Sequence, residues 1–320
     1  MSNERLIVVV ANKSIEAQDI ASFELVSGDG GELPEFTAGA HIDVHLGDGL
    51  IRQYSLCNDP RERHRYRLGV LREAQSRGGS VAMHERVNAG DRISISTPRN
   101  TFHLDERASH SILLAGGIGV TPMIAMAYRL AALGASFELH YCTRSRARTA
   151  FHDLLTSAPF ADRVQLHFDD GPKDQLLDAP ALLRSPGAGT SLYVCGPKGM
   201  MDYVLGQVGG WPEGRVHREY FSADPQAGHD HDGSFRVRIA STGAEYEIPA
   251  NKTIVDALAG HGVDIPVSCE QGICGTCLTG VLEGQPDHRD AFLSDDEHAA
   301  NTQMTPCCSR AKSALIVLDL

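Results

Sequence analysis

The sequence contains no apolar run long enough to cross a membrane, and its N-terminal segment MSNERLIVVV holds an apolar run of only five residues. A membrane-spanning helix needs about 20 apolar residues, and the core of a secretory signal is also longer than this run. Positive charge is scarce as well, because 29 Lys and Arg face 41 Asp and Glu, which gives a net charge of −12. These deficits predict a cytoplasmic protein that binds neither membranes nor nucleic acids.

The rest of the composition is typical of a soluble globular protein, with 42% hydrophobic and 22% charged residues. A chain of 320 residues is too long for one hydrophobic core and predicts two or three domains. The negative charge is uneven, since residues 234–320 hold six Lys and Arg against twelve Asp and Glu, half of the net charge. This acidic surface could steer a basic redox partner or could simply keep the protein soluble.

Cys269, Cys274 and Cys277 show the C-x4-C-x2-C spacing of plant-type [2Fe–2S] ferredoxins, and the pair Cys307 and Cys308 follows them. Four thiolates must hold two irons, so either member of the pair could complete the set. A zinc ribbon would need two CxxC pairs, and this segment has one. Disulfides are not expected without a secretory segment. The spacing therefore predicts an iron–sulfur cluster and an electron carrier.

Residues 1–107 contain short β-branched runs separated by Gly, Asp and Pro, which predicts an antiparallel barrel or sandwich. A glycine-containing start signal predicts one helix there, from Ser80 to Asn88. Residues 108–221 alternate apolar strands with helical stretches, which predicts an α/β domain with a parallel sheet and helices on both faces.

Residues 222–233, SADPQAGHDHDG, lack apolar periodicity and predict a flexible linker, although their His and Asp side chains could also bind a metal. Residues 234–320 combine short strands, one helix near residues 254–260 and the cysteine loop. This last segment predicts a small α+β domain built like a ferredoxin.

A nucleotide site is predicted where the strand SILLAGG runs into the turn GGIGVTP and a helix. Glycines at such a turn let backbone N–H groups approach a pyrophosphate at the positive end of the helix. A second strand ends in Cys195, Gly196 and Pro197. Parallel strands present their carboxyl ends, where ligands bind, at one sheet edge. The Cys195 thiol could be an ordinary buried side chain, but its position at that edge favours a role in the site.

A flavin site is predicted around the strand segment RQYSL, residues 52–56. An Arg can pair with phosphate, a Tyr can pack against an isoalloxazine ring, and a Ser hydroxyl can reach a ring nitrogen. By itself the segment equally fits an ordinary half-buried strand. The segment RGGS, residues 77–80, opens a helix nearby, and a helix start is suited to an anion, which favours the flavin interpretation.

Six segments of the chain, taken together, resemble the phthalate dioxygenase reductase and vanillate demethylase reductase family: RQYSLCNDP, SRGGS, AGGIGVTPM, YVCGPKGMM, CEQGICGTC and PCCSRAK. The resemblance covers essentially the whole sequence. It implies an FMN-binding barrel at residues 1–107, an NAD-binding domain at 108–221 and a plant-type ferredoxin domain at 234–320. It favours Cys307 as the fourth ligand, and the adjoining thiol of Cys308 is the clearest departure from the family pattern.

The resemblance also implies the roles of the site residues. Those placed nearest the chemistry are Ser55, Thr121, Cys195 and Phe221, and the cluster ligands are Cys269, Cys274, Cys277 and Cys307. The predicted residues that bind FMN or the pyridine nucleotide are Arg52, Gln53, Tyr54, Ser55, Leu71, Arg77, Gly78, Gly79, Ser80, Gly116, Gly117, Ile118, Thr121, Cys195, Gly196, Pro197 and Phe221.

The implied function is that of the reductase component of a two-component Rieske-type aromatic oxygenase or demethylase. NADH donates two electrons as a hydride and a [2Fe–2S] cluster accepts one at a time, so the flavin must lie between them. A P450 or another oxygenase is an alternative acceptor. A non-enzymatic iron–sulfur redox sensor is a third hypothesis, but it leaves the flavin and nucleotide motifs without a purpose.

The choice between NADH and NADPH depends on loops that follow two predicted strands. Arg144, Arg146 and Arg148 could hold a 2′-phosphate, or they could form an ordinary solvated loop. Asp169 and Asp170 would repel a 2′-phosphate. The resemblance favours NADH and leaves NADPH as an alternative.

Overall fold

The computed structural model describes residues 5–47, 49–73, 78–221 and 233–320. They form two compact units, Met1–Glu219 and Tyr220–Leu320. The first unit holds both the antiparallel sheet and the parallel sheet that the sequence predicts, and the second holds the cysteine loop. Among the described helices, none has both the length and the apolar character that a bilayer crossing requires.

The first part of the first unit is an antiparallel sheet whose strands lie in the order β4-β3-β6-β1-β2-β5, with β7 paired to β3. An isolated bridge between Leu56 and Leu68 links the two outer strands and closes the sheet into a barrel, as the sequence predicts. The strands are β1 (Arg5–Ala17), β2 (Ile20–Ser27), β3 (Ala40–His45), β4 (Ile51–Ser55), β5 (Tyr66–Leu71), β6 (Arg92–Ser96) and β7 (Arg99–Asn100).

One α-helix, α1 (Gly79–Arg86), lies against β4 and β5 of this barrel. The sequence predicts a helix there, and the structure starts it one residue earlier and ends it two residues earlier. Val87 is extended, which stops the helix. The ammonium of Lys13 donates to the carbonyl oxygens of His84 and Val87 at 2.6 and 2.7 Å. These bonds satisfy carbonyl groups that the end of a helix leaves without intrahelical partners.

The second part of the first unit is a parallel sheet with the strand order β10-β9-β8-β11-β12, which confirms the predicted α/β architecture. The chain moves outward in one direction from β8 through β9 to β10, then returns to place β11 on the other side of β8. The strand order therefore reverses between the neighbouring strands β8 and β11. This place is a topological switch point, and open α/β sheets bind ligands at the carboxyl ends of the strands there. The elements are β8 (His110–Gly116), α2 (Val120–Ala132), β9 (Phe137–Thr143), α3 (His152–Ser157), β10 (Val164–Phe168), α4 (Ala179–Leu183), β11 (Thr190–Cys195), α5 (Lys198–Leu205) and β12 (Val216–Glu219).

A continuous apolar core joins the barrel to the parallel sheet. Phe102, just after the barrel, meets Tyr193 of β11 edge to face, with ring centroids 5.9 Å apart. Gly69 of β5 packs so closely on Thr121 and Phe151 that a Cβ atom there would lie 2.7 and 2.9 Å from their side chains. Because the two sheets share buried side chains, they form one compact unit.

The second unit contains a mixed sheet with the order β14-β13-β19-β15-β17 and a separate pair, β16 and β18. Its helix α6 begins at the predicted position, but the prediction of a single helix is wrong, because a second helix, α7, is present. The α7 segment DDEHAA has no large apolar side chain that could form an apolar face, whereas α6 has Ile254 and Leu258, although Ser294 and Glu297 form a capping box at the start of α7. The elements are β13 (Phe235–Ile239), β14 (Glu245–Ile248), α6 (Ile254–Ala259), β15 (Thr279–Glu283), β16 (Pro286–Asp287), α7 (Asp295–Ala300), β17 (Gln303–Met304), β18 (Arg310–Ala311) and β19 (Leu315–Leu318).

Candidate functional site

The cysteine site lies in the second unit, where a loop between α6 and β15 carries three thiols. Cys269, Cys274 and Cys277 are buried, and Cys307 is buried beside them. The thiol of Cys269 interacts with those of Cys274 and Cys307, and the thiol of Cys277 interacts with that of Cys307. Thiols separated by up to 38 positions in sequence therefore converge on one place.

The backbone around these thiols is shaped to hold negative charge. Gln271 N donates to the sulfur of Cys269 at 3.3 Å, and Thr276 N donates to the sulfur of Cys274 at 3.4 Å. Gly272 and Gly275 adopt φ angles of +69° and +68°, which favour glycine. Four converging thiols with amide donors match the ligand set of a [2Fe–2S] cluster, so the residues present fit that group.

Cys307 and Cys308 face different surroundings. The thiol of Cys307 interacts with Cys269 and Cys277. The sulfur of Cys308 instead lies 3.3 Å from Thr305 Oγ1 and 3.8 Å from Ser309 Oγ. The geometry therefore supports Cys307 as the fourth ligand.

A second candidate site lies at the switch point of the parallel sheet. Ala115 of β8 pairs with Cys195 of β11, so both strands end at the same level. A Cβ atom at Gly119 would collide with the carbonyl oxygen of Cys195, and a Cβ atom at Gly116 would lie 3.3 Å from the Cα of Gly196. The two turns therefore pack backbone against backbone and leave amide groups at the start of α2, an arrangement suited to a pyrophosphate.

Two side chains define the edge of this cradle. Thr121 is buried, and its Oγ1 donates to the carbonyl oxygen of Ile118 at 3.0 Å, which holds the turn before α2. Cys195 is buried at the end of β11, and burial raises the pKa of its thiol well above the ordinary value. Cys195 is therefore an uncharged side chain and not a thiolate nucleophile at neutral pH.

A third candidate site lies where β4 meets the start of α1. A Cβ atom at Gly79 would collide with the side chain of Arg52, so this glycine permits the guanidinium to lie against the helix start. Gly78 precedes the helix with a φ of +90°. A cation beside a helix N-terminus is suited to a phosphate. Tyr54 and Ser55 follow Arg52 on β4, and burial raises the pKa of Tyr54, which keeps its phenol neutral.

Comparisons with known proteins indicate the type of cofactors that this chain binds. Residues 237–312 match the family described as a 2Fe-2S iron-sulfur cluster binding domain. The vanillate O-demethylase oxidoreductase of Pseudomonas sp. (strain HR199 / DSM 7063) is 55% identical over 315 residues, covering 98% of this chain and 99% of that protein. The chain belongs to the vanillate demethylase and phthalate dioxygenase reductase family. It is a flavin and iron–sulfur oxidoreductase, as the resemblance implies.

Two solved structures resemble this chain over nearly its whole length. The structure titled phthalate dioxygenase reductase, a modular structure for electron transfer from pyridine nucleotides to [2Fe-2S], has a TM-score of 0.77 and 44% identity, with 99% of this chain and 98% of that chain covered. An intact type IV self-sufficient cytochrome P450 monooxygenase has a TM-score of 0.86 and 36% identity, with 99% of this chain and 41% of that chain covered.

Four further residues that the sequence predicts for the sites of this reductase have different surroundings. Leu71 is partly buried at the end of β5, and Gln53 donates to Asp43 Oδ1 at 3.1 Å within the barrel. Arg77 lies outside the described residues. Phe221 belongs to the second unit, two residues after β12 ends, and 37% of its surface is exposed.

Glu219, the last residue of β12, is not among the site residues predicted from the sequence. Glu219 pairs with Cys195 across the parallel strands, which places it at the carboxyl edge of the sheet. Its Oε2 is shielded from solvent and has no hydrogen-bond partner in the described part of the chain. Burial raises the pKa of this carboxyl to about 8. An acidic residue that ends a strand beside a candidate nucleotide site was a usable signal in the segment HREYF.

Proposed function

We propose that this chain is the reductase component of a two-component Rieske-type oxygenase or demethylase that acts on an aromatic acid or aryl ether. Electrons pass from NADH to FMN, then to the [2Fe–2S] cluster, then to the oxygenase. Residues 1–107 carry FMN, residues 108–221 carry the nucleotide, and residues 234–320 carry the cluster. The observation that carries the proposal is that four buried thiols converge in a chain that also has a nucleotide cradle at a switch point.

The residues of the chain bind and orient the reactants. When bound, FMN supplies the chemistry that turns a hydride donor into a one-electron donor for the cluster. Arg52 and the start of α1 would hold the FMN phosphate, and Ser55 would support the flavin ring. The amides after β8 would hold the nucleotide pyrophosphate. Thr121 and the neutral thiol of Cys195 would shape the position of the nicotinamide.

NADH is the proposed electron donor. Asp169 and Asp170 directly follow β10, and Asp170 N donates to the carbonyl oxygen of Arg144 at 3.2 Å, which brings the acidic and basic loops together. Carboxylates at that edge repel a 2′-phosphate. The proposed compartment is the cytoplasm, because all eight cysteines are unpaired thiols and metal-binding thiols need a reducing environment.

Replacement of one cluster ligand tests the order of electron transfer. In Cys274→Ser we expect reduction of cytochrome c, a one-electron acceptor, to fall to background, because the cluster is lost. NADH-dependent reduction of a two-electron dye should stay close to the wild-type rate, because the flavin and nucleotide sites lie in the other unit. Equal loss of both activities in a variant that keeps its flavin would contradict the proposal.

A P450 is a second candidate for the electron acceptor. In a self-sufficient P450 monooxygenase, a region that makes up 41% of that chain resembles nearly all of this chain. This likeness favours a P450 as an electron acceptor. Reconstitution with purified oxygenases of each class distinguishes the two acceptors. Product formation with a Rieske oxygenase, and none with a P450, is the expected result.

A further inference from the structure

A cluster of three potential metal ligands lies in the second unit, outside the cysteine site. His288 follows β16, Asp290 lies two residues later, and His298 lies on α7. Each offers one ligand atom, and these atoms all lie within 4.8 Å of one another. The imidazole rings of His288 and His298 stack with their centroids 4.4 Å apart.

His288 is the unusual member of this cluster. Only 9% of its side chain is exposed. Both ring nitrogens are shielded from solvent, and neither forms a hydrogen bond of normal geometry within the described ranges, although the Asn301 side chain lies close enough to interact with the ring. A buried polar group without a well-formed hydrogen bond is destabilising, so a burial of this kind favours a ligand. The nearest oxygen is Asp290 Oδ1, 3.7 Å from His288 Nδ1, which is beyond hydrogen-bond distance.

Two hydrogen bonds orient the Asp290 carboxylate so that one oxygen faces each histidine. Its side chain is fully buried. Leu293 N donates to Oδ2 at 2.8 Å, and Ser309 Oγ donates to Oδ1 at 3.4 Å. His298 Nε2 lies 3.3 Å from Oδ2. Each carboxylate oxygen has a second lone pair, so these bonds orient the group without using its full capacity to bind a cation.

The distances suit a small transition-metal ion. Two ligand atoms that are each about 2.0–2.1 Å from zinc can be no more than about 4.2 Å apart. Asp290 Oδ2 lies 3.3 Å from His298 Nε2, and Asp290 Oδ1 lies 3.7 Å from His288 Nδ1. An ion held by both carboxylate oxygens therefore meets that limit for each histidine. An imidazole binds a metal in the plane of its ring, so His298 must rotate out of its stacked position for both rings to reach one ion. The exposed side of His298, with 26% of its side chain accessible, leaves room for that rotation.

We propose that His288, Asp290 and His298 form a binding site for a divalent transition-metal ion, with water as a fourth ligand. Two imidazoles and one carboxylate are the ligands that Zn²⁺ and Fe²⁺ take, whereas Mg²⁺ and Ca²⁺ prefer oxygen ligands alone. The segment that carries Asp290 contacts the cysteine loop, since Ala291 N donates to the carbonyl oxygen of Gly272 at 3.0 Å.

Zinc binding to the holoenzyme, with FMN and cluster in place, tests this site. Titration calorimetry with ZnCl₂ should show one site per chain that excess Mg²⁺ does not block. His298→Gln should weaken this binding by at least about tenfold, because one of three ligands is lost. Zinc should also raise the thermal midpoint of the wild-type second unit and leave that of the variant unchanged.

Two control variants identify the ligands. His261→Gln removes an exposed histidine from the same unit and should bind zinc like the wild type. The double variant His229→Gln/His231→Gln removes the histidines of the segment SADPQAGHDHDG and should also bind like the wild type. Wild-type affinity in His298→Gln, or lost binding in the double variant, would overturn the proposal. Zinc uptake matched by loss of iron from the cluster would overturn it as well, because the cysteines would then be the ligands.

Discussion

The adjacent thiols of Cys307 and Cys308 provide a test of cluster ligation at the scale of one residue. Cys307→Ser should fail to assemble the [2Fe–2S] cluster, because only the Cys307 thiol meets Cys269 and Cys277. Iron content and visible absorbance of the purified variant measure this loss.

Cys308→Ser is the matched control, since it makes the same chemical change one position away. It should keep the full iron content, because the Cys308 thiol interacts with Thr305, Ser309 and its neighbour Cys307 and does not take the place of Cys307 beside Cys269. An intact cluster in Cys307→Ser, together with a lost cluster in Cys308→Ser, would reverse the assignment.

Glu219 provides a second test at this scale, through the pH dependence of stability. Burial raises the pKa of Glu219 to about 8 in the folded chain, from an ordinary value of 4.5. Between these pH values the folded state keeps a proton that the unfolded state has released, so rising pH favours unfolding. The free energy of unfolding should fall by up to about 1.4 kcal/mol per pH unit in this window.

Glu219→Gln removes this titration and keeps the shape of the side chain. Its free energy of unfolding, measured in urea with flavin fluorescence, should lack the decline that the wild type shows between pH 4.5 and 8. The gap between the two proteins should therefore grow in favour of the variant as pH rises. Parallel pH profiles would show that Glu219 is ionised in the folded chain.

At the scale of elements, the close contact between the turn after β8 and the end of β11 determines the nucleotide cradle. Gly119→Ala should destabilise the first unit by about 1–3 kcal/mol, because its Cβ would collide with the Cys195 carbonyl oxygen and push the start of α2 away. The Kd for NADH should rise in the same variant. Urea unfolding and a binding titration measure the two effects.

Gly199→Ala on α5 is the matched control for this substitution. Nothing lies within 4 Å of a Cβ atom at Gly199. An alanine in a helix is more favourable than a glycine by about 0.5–1 kcal/mol, so this variant should be slightly more stable and bind NADH normally. A similar loss of stability in both variants would contradict the account of the cradle.

At the scale of the whole molecule, the net charge of −12 predicts how electron transfer responds to salt. The rate of reduction of cationic cytochrome c should fall as ionic strength rises from about 0.01 to about 1 M, because screening removes the attraction. The rate with the anion ferricyanide should stay level or rise over the same range. A parallel fall with both acceptors would show that the acidic surface does not steer partners.

Sequence patterns were sufficient for the elements whose signals are local. The alternating runs predicted the barrel, and the alternation of strands and helices predicted the parallel sheet. The helix α7 was not predicted, because its segment DDEHAA lacks the large apolar side chains that mark α6, a helix of the same length. The type of cluster was predicted, since the spacing of three cysteines is a short-range constraint of the cluster itself.

The features that the sequence did not reveal depend on contacts between distant segments. The environment that raises the pKa of Glu219 exists only when β12 lies beside β11. The segment HREYF shows only that an acidic residue ends a strand, not how deeply that residue is buried. The cluster of His288, Asp290 and His298 likewise needs α7 to fold against the segment after β16. Burial and loss of hydration are properties of the packed chain.

By itself, the sequence determined the fold classes and the type of cluster, because both depend on residue type and spacing along the chain. The tertiary structure decided which of two adjacent cysteines meets the other ligands. It also decided that the barrel and the parallel sheet share one core. These outcomes depend on which side chains exclude water together, and that is set by packing between segments far apart in the chain.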